Sequence, residues 1–89
     1  MTENNRSHCI YLEDILTSML RVVEYVGENN FMDFKQNMML VDAVVRNFEI
    51  IGEASRNIPE NIKNRYPEIP WKKMYGLRNL ILHEYFGID

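Results

Sequence analysis

The chain has 89 residues, 46% of them hydrophobic and 26% charged, with one cysteine and a formal charge of −3. That is enough for one small soluble domain and too little for two. It excludes a disulfide framework, a collagen-like or low-complexity chain, and a protein that coats nucleic acid by bulk charge. A core this small leaves a motive to pair with a second chain, because a short domain buries only about 60% of its unfolded surface.

Residues 9–26 read as a helix. Leu12, Leu16, Met19, Val23 and Val26 recur at spacings of four, three, four and three, a helical stripe and not strand alternation. The stripe is heptad-like, so it can pack on a helix of its own chain or of a partner. Cys9 is expected as a reduced thiol near the helix start, and Gly27 marks its end. Residues 28–37 are polar around Phe31 and Phe34, a connection holding one helical turn. Asn37 is placed to cap the second long helix. Its apolar positions are Val41, Val44, Val45, Phe48 and Ile51. Gly52 lies inside it and costs about 1 kcal/mol relative to alanine, which predicts a close helix–helix approach there.

Pro59 ends that helix and opens a short one reaching Arg65. Pro67 and Pro70 bracket a tight loop with Tyr66, Ile69 and Trp71 as apolar anchors. A last helical segment follows, kinked near Gly76 and closed by Gly87. The fold class is therefore all-α: one domain, residues 1–89, folded as a small up-and-down helical bundle of three main helices with short accessory turns. No apolar run is long enough to span a bilayer and no signal pattern opens the chain. The expected compartment is the cytoplasm and no membrane partner is expected.

Charge is unevenly distributed. Residues 56–78 carry six basic and two acidic side chains, a net of +4, inside an otherwise acidic chain. Such a segment can attract a polyanion locally or form a solvated lysine face. Phosphate loops, zinc-protease helices, serine-hydrolase elbows and calcium loops are absent. His8 and His83 are the only histidines, so no metal site is expected. Glu49 and Glu53, one turn apart, suit an acid–base pair, a metal, or simply a solvated face.

The segment richest in chemistry is Arg78 to Tyr85, RNLILHEY. Arg78 and Tyr85 fall within about 20° of each other on a helix, and Asn79 and His83 share a neighbouring stripe. Arginine offers a permanent charge and a forked donor set for phosphate. Histidine can move a proton near neutral pH. Arg78 and His83, five apart, point about 140° away from each other. They meet on one atom only if the arginine folds back, the helix distorts or a second subunit completes the site.

Taken together, NFEIIGEASRNIP and YPEIPWKKMYGLRNLILHEYFGID resemble the HEPN toxins of HEPN–MNT toxin–antitoxin pairs, the HepT-like family. The resemblance runs from about Tyr11 to the end and includes the R-x4-H-x-Y motif, met by Arg78, His83 and Tyr85. It implies a HEPN-type bundle that forms a homodimer, with two motifs facing each other in a shared cleft. It implies a metal-independent endoribonuclease acting on an RNA substrate, with Arg78 and His83 catalytic, Asn79 supporting His83, and no cofactor. It implies a minimal nucleotidyltransferase antitoxin that transfers AMP from ATP to Tyr85. The alternative is a non-catalytic HEPN module that dimerises and docks a nucleotidyltransferase or a nucleotide. Family members continue past the segment matching FGID into another helix, so the family's last C-terminal helix is expected to be missing from these 89 residues.

Overall fold

The computed structural model describes the backbone of residues 2–87 and the side chains of residues 8–84. The chain forms α1 (Thr2–Val26), α2 (Phe31–Gln36), α3 (Met38–Arg56), α4 (Glu60–Arg65), α5 (Trp71–Tyr75) and α6 (Leu77–Phe86). No strand occurs among the described residues. Three long helices and three short ones match the all-α bundle expected, although α1 begins seven residues earlier than its apolar periodicity does.

Local chemistry sets the boundaries. Gly27 adopts a left-handed φ of +50° and its N–H reaches Val23 O, which closes α1. The Asn30 side chain accepts from Asp33 N at 2.8 Å and that of Asn37 from Leu40 N at 3.1 Å, so α2 and α3 each carry an asparagine cap. Pro59 caps α4 from outside and does not serve as its first residue. The bend anticipated at Gly76 is a full break: Gly76 ends α5 and caps α6.

α3 is the central helix, with α1 along one side and α2, α5 and α6 also packed on it. Its inward residues Val41, Val44, Ile51 and Ala54 are almost fully buried. Ile51 and Ala54 form one core with Ile15, Ile58, Trp71 and Met74. The close approach expected at Gly52 is present. A Cβ added there would stand 2.9 Å from Tyr75 O and 3.1 Å from Met74 O. The helix thus lets the end of α5 lie directly on its backbone. Polar groups enter the interior at small cost where the helix itself satisfies them: Ser55 Oγ donates to Ile51 O at 2.6 Å. Asn47 Nδ2 donates to Ala43 O at 2.8 Å, while its buried Oδ1 has no partner.

Two expectations need correction. The α1 stripe of Leu12, Leu16, Met19 and Val23 is not the packed face; these side chains are 40–70% exposed. α1 instead turns Ile15 and Ser18 inward, with Tyr11 partly buried beside them. The small Ser18, only 1% exposed, lets α1 settle against α3, and close packing outweighs the larger apolar area of the other face. Tyr66 likewise does not anchor its loop by burial. Its side chain is half exposed, and its carbonyl accepts from Trp71 Nε1 at 3.1 Å.

Candidate active site

The outward face of α3 is charged. Arg46, Glu49, Glu53 and Arg56 recur every three or four residues, opposite the buried stripe, and all are exposed. α6 lies beside this face and brings Arg78, in its first turn, against it. The Arg78 Nε donates to Glu49 Oε1 at 3.0 Å, and its Nη1 donates to Asn79 Oδ1 at 3.1 Å. Arg46, Glu49, Glu53, Arg56, Tyr75 and Arg78 thereby border an open groove of about 420 Å³. Three guanidinium groups face two carboxylates, so the groove is net positive within an acidic protein. Arg78 and Glu49 are each about half exposed, which leaves the guanidinium within reach of a ligand from solvent.

The sequence-derived candidates divide. Arg78 and Asn79 come together and both border the groove. His83 lies in the last turn of α6 with an exposed side chain and is not among the residues that line the groove. Tyr85 falls within α6, but its side chain lies outside the described residues. Glu49 and Glu53 both border the groove from the exposed face of α3, and Glu49 is more than a solvated residue there. Glu49 holds Arg78, and no group of three or more His, Cys, Asp or Glu side chains able to hold a metal occurs among the described residues.

Arg46 and Arg56 were not singled out as site residues by the sequence reading, although their spacing around Glu49 and Glu53 was visible. Arg56 also reaches over to α5, where its Nη2 donates to Tyr75 O at 3.4 Å. A second hollow, apolar and about 320 Å³, opens between the end of α1, α2, α3 and α6, lined by Val22, Phe34, Phe48 and Ile81 among others.

An all-helical bundle whose last helix carries R-x4-H-x-Y, with its arginine fixed at a basic groove, defines a class. The chain belongs to the HepT-like family of ribonucleases, whose model matches residues 15–89. It is 47% identical over 79 residues to a candidate RNase of Methanocaldococcus jannaschii, covering 89% of this chain and 72% of that protein. It is 46% identical over 84 residues to a Thermococcus cleftensis protein named "Probable ribonuclease HepT", covering 94% and 76% respectively. A candidate RNase of Caldanaerobacter subterraneus subsp. tengcongensis is 40% identical over 79 residues, covering 89% and 70%. No solved structure matches the chain. No helix of the described residues is long and apolar enough to cross a membrane.

Proposed function

We propose that the chain is the toxin of a HEPN–MNT pair and cuts RNA without a metal, using the 2′-hydroxyl of the substrate as nucleophile. The observation that carries this reading is Arg78, the motif arginine, held by Glu49 and Asn79 at the edge of a net-positive groove. With Nε and one Nη1 hydrogen committed to those partners, the Nη2 end of the fork is the part offered to a phosphodiester. A guanidinium at that place stabilises the charge that develops on the crowded phosphorane.

The reaction balances without an added reagent. The 2′-oxygen attacks phosphorus and the P–O5′ bond breaks, leaving a 2′,3′-cyclic phosphate and a 5′-hydroxyl. The 2′-hydroxyl proton passes to a neutral His83 imidazole, and an imidazolium returns a proton to the 5′-oxygen. Such proton transfer contributes about 10²–10⁴-fold. DNA, lacking the 2′-hydroxyl, is not a substrate by this route.

The site is completed by a second copy. His83 does not line the Arg78 groove of its own chain, and helix geometry turns the two about 140° apart. A two-fold axis near α6 supplies His83 from one protomer to Arg78 of the other. Exposed apolar side chains such as Leu80 on α6, 48% exposed, support an interface in this region. A minimal nucleotidyltransferase controls the toxin. The Tyr85 oxygen attacks the α-phosphorus of ATP, pyrophosphate leaves, and the attached AMP adds bulk and about one negative charge near Arg78.

The placement of His83 also favours one other reading, a bundle that binds a nucleotidyltransferase or nucleotide and does not cut. One experiment separates them. Purified wild type, Arg78→Ala and His83→Ala are incubated with end-labelled RNA in EDTA. Cleavage by wild type to cyclic-phosphate ends, lost in both folded variants, is expected. Absence of cleavage, retained activity in either variant, or strict dependence on a divalent ion overturns the proposed scheme.

A further inference from the structure

Tyr75, the last residue of α5, stands between two hollows. On one side is the groove holding Arg78. On the other is a hollow of about 400 Å³ under α4 and α5, bordered by Lys63, Asn64, Trp71, Lys72 and Lys73. Tyr75 lines both. A cation stands against the ring from each side of this boundary. The Arg56 guanidinium, which lines the groove, lies 5.9 Å from the ring centre. The Lys63 ammonium, which lines the second hollow, lies 4.7 Å from it and donates a hydrogen bond to the Tyr75 hydroxyl.

We infer that the Lys63–Lys72–Lys73 hollow is a backbone-phosphate subsite for single-stranded RNA, continuous with the cleavage groove across Tyr75. The inference rests on the ribonuclease reading of that groove. Three ammonium groups border this hollow and Glu60 is the one carboxylate among its lining residues, so its charge favours an anion. Lysine suits phosphate as a compact point charge with no demand on base identity. The Tyr75 hydroxyl and ring hold Lys63 in place, so this cation is ordered before RNA arrives. Arg56 also reaches the Tyr75 carbonyl, at 3.4 Å. A strand lying over Tyr75 therefore meets a cation in each hollow beside one ring, with the scissile phosphate at Arg78 and a neighbouring phosphate among the lysines. This contact sets strand length and affinity, not sequence.

The test measures binding in a His83→Ala background, so that it does not depend on cleavage. Affinities of a dinucleotide and of a longer single-stranded RNA are compared across a salt series. Lys72→Gln with Lys73→Gln should weaken the longer RNA by about tenfold and flatten its salt dependence by about 0.7 per lysine. The dinucleotide, which fills the groove alone, should shift far less. Lys63→Gln should behave like either single lysine change. Tyr75→Phe keeps the ring packed against the core and removes the bond to Lys63, so it should give a smaller loss of the same kind.

Equal losses for dinucleotide and longer RNA, or an unchanged salt slope, would overturn the subsite. So would lysine variants that lose binding to a nucleotidyltransferase but keep RNA affinity. If wild type cuts no RNA while the length-dependent losses appear, the catalytic scheme fails and the subsite stands. If cleavage is normal and the lysine variants bind like wild type, the subsite alone fails.

Discussion

Glu49 and Arg78, 29 positions apart in the chain, meet across the groove between α3 and α6 with Nε and Oε1 3.0 Å apart. Both side chains are about half exposed, so the pair contributes little to stability, about 0–1 kcal/mol. Its consequence is orientation. The carboxylate fixes Nε, and with it the plane of the guanidinium, at the edge of the groove. Glu49→Gln should leave the urea midpoint nearly unchanged and lower kcat by about tenfold, because a misaligned catalytic group costs rate more than binding. Denaturation and saturation kinetics on one preparation check this. A large loss of stability, or an effect confined to KM, would mean that the carboxylate is not orienting the arginine.

The proposed two-chain site makes a prediction that no single-chain site shares. Arg78→Ala and His83→Ala, each inactive alone, should regain part of the activity when mixed. A mixed dimer in which each site joins Arg78 of one protomer to His83 of the other has one site with both groups intact. Titrating one variant into the other while following cleavage tests this. No recovery, with mixed dimers demonstrated by mass, counts against a shared site.

The proposed control through Tyr85 has a direct readout. Incubation with a cognate nucleotidyltransferase, ATP and magnesium should add AMP-sized mass increments that map to Tyr85 and are absent in Tyr85→Phe. The modified chain should cut RNA at least tenfold more slowly, since the attached group would add bulk and negative charge to the helix that carries Arg78. Increments that persist in Tyr85→Phe, or full activity after modification, would sink this account.

Gly52→Ala should destabilise the fold despite raising helix propensity. Alanine gains about 1 kcal/mol within a helix. Its Cβ would nevertheless stand 2.9 Å and 3.1 Å from two backbone carbonyl oxygens of α5, and backbone cannot swing aside as a side chain can. A net loss of about 2 kcal/mol is expected, measurable by thermal or urea unfolding. A stabilised variant would show that α5 moves away freely.

Much of this architecture could be read along the chain because its signals are local. Asn37 caps where a cap was expected, Gly27 and Gly87 end their helices with positive φ, and Gly52 marks a close approach. The face chosen by α1 was not legible. Leu12–Leu16–Met19–Val23 and Tyr11–Ile15–Ser18–Val22 share helical spacing, and the first set is the more apolar. The decision falls to shape, since the small Ser18 fits against α3 where a leucine would hold the helices apart. The motif residues Arg78 and His83 were visible as chemistry, but the partner of Arg78 was not. A glutamate 29 residues away becomes its neighbour only after α3 has turned Ile51 inward and so pointed Glu49 out.

The contact between Gly52 and the end of α5 reaches beyond packing. An isolated helix of five residues would fray. Here its carbonyls rest on α3 while Trp71 and Met74 are sunk in the core, so α5 cannot lift without opening the interior. In hydrogen-exchange terms, α5 should open together with α3 and not with the loops that flank it. Tyr75, at the boundary of the two hollows, is thus carried on a helix anchored in the core, and the spacing between those hollows is set by the same packing that holds the fold together.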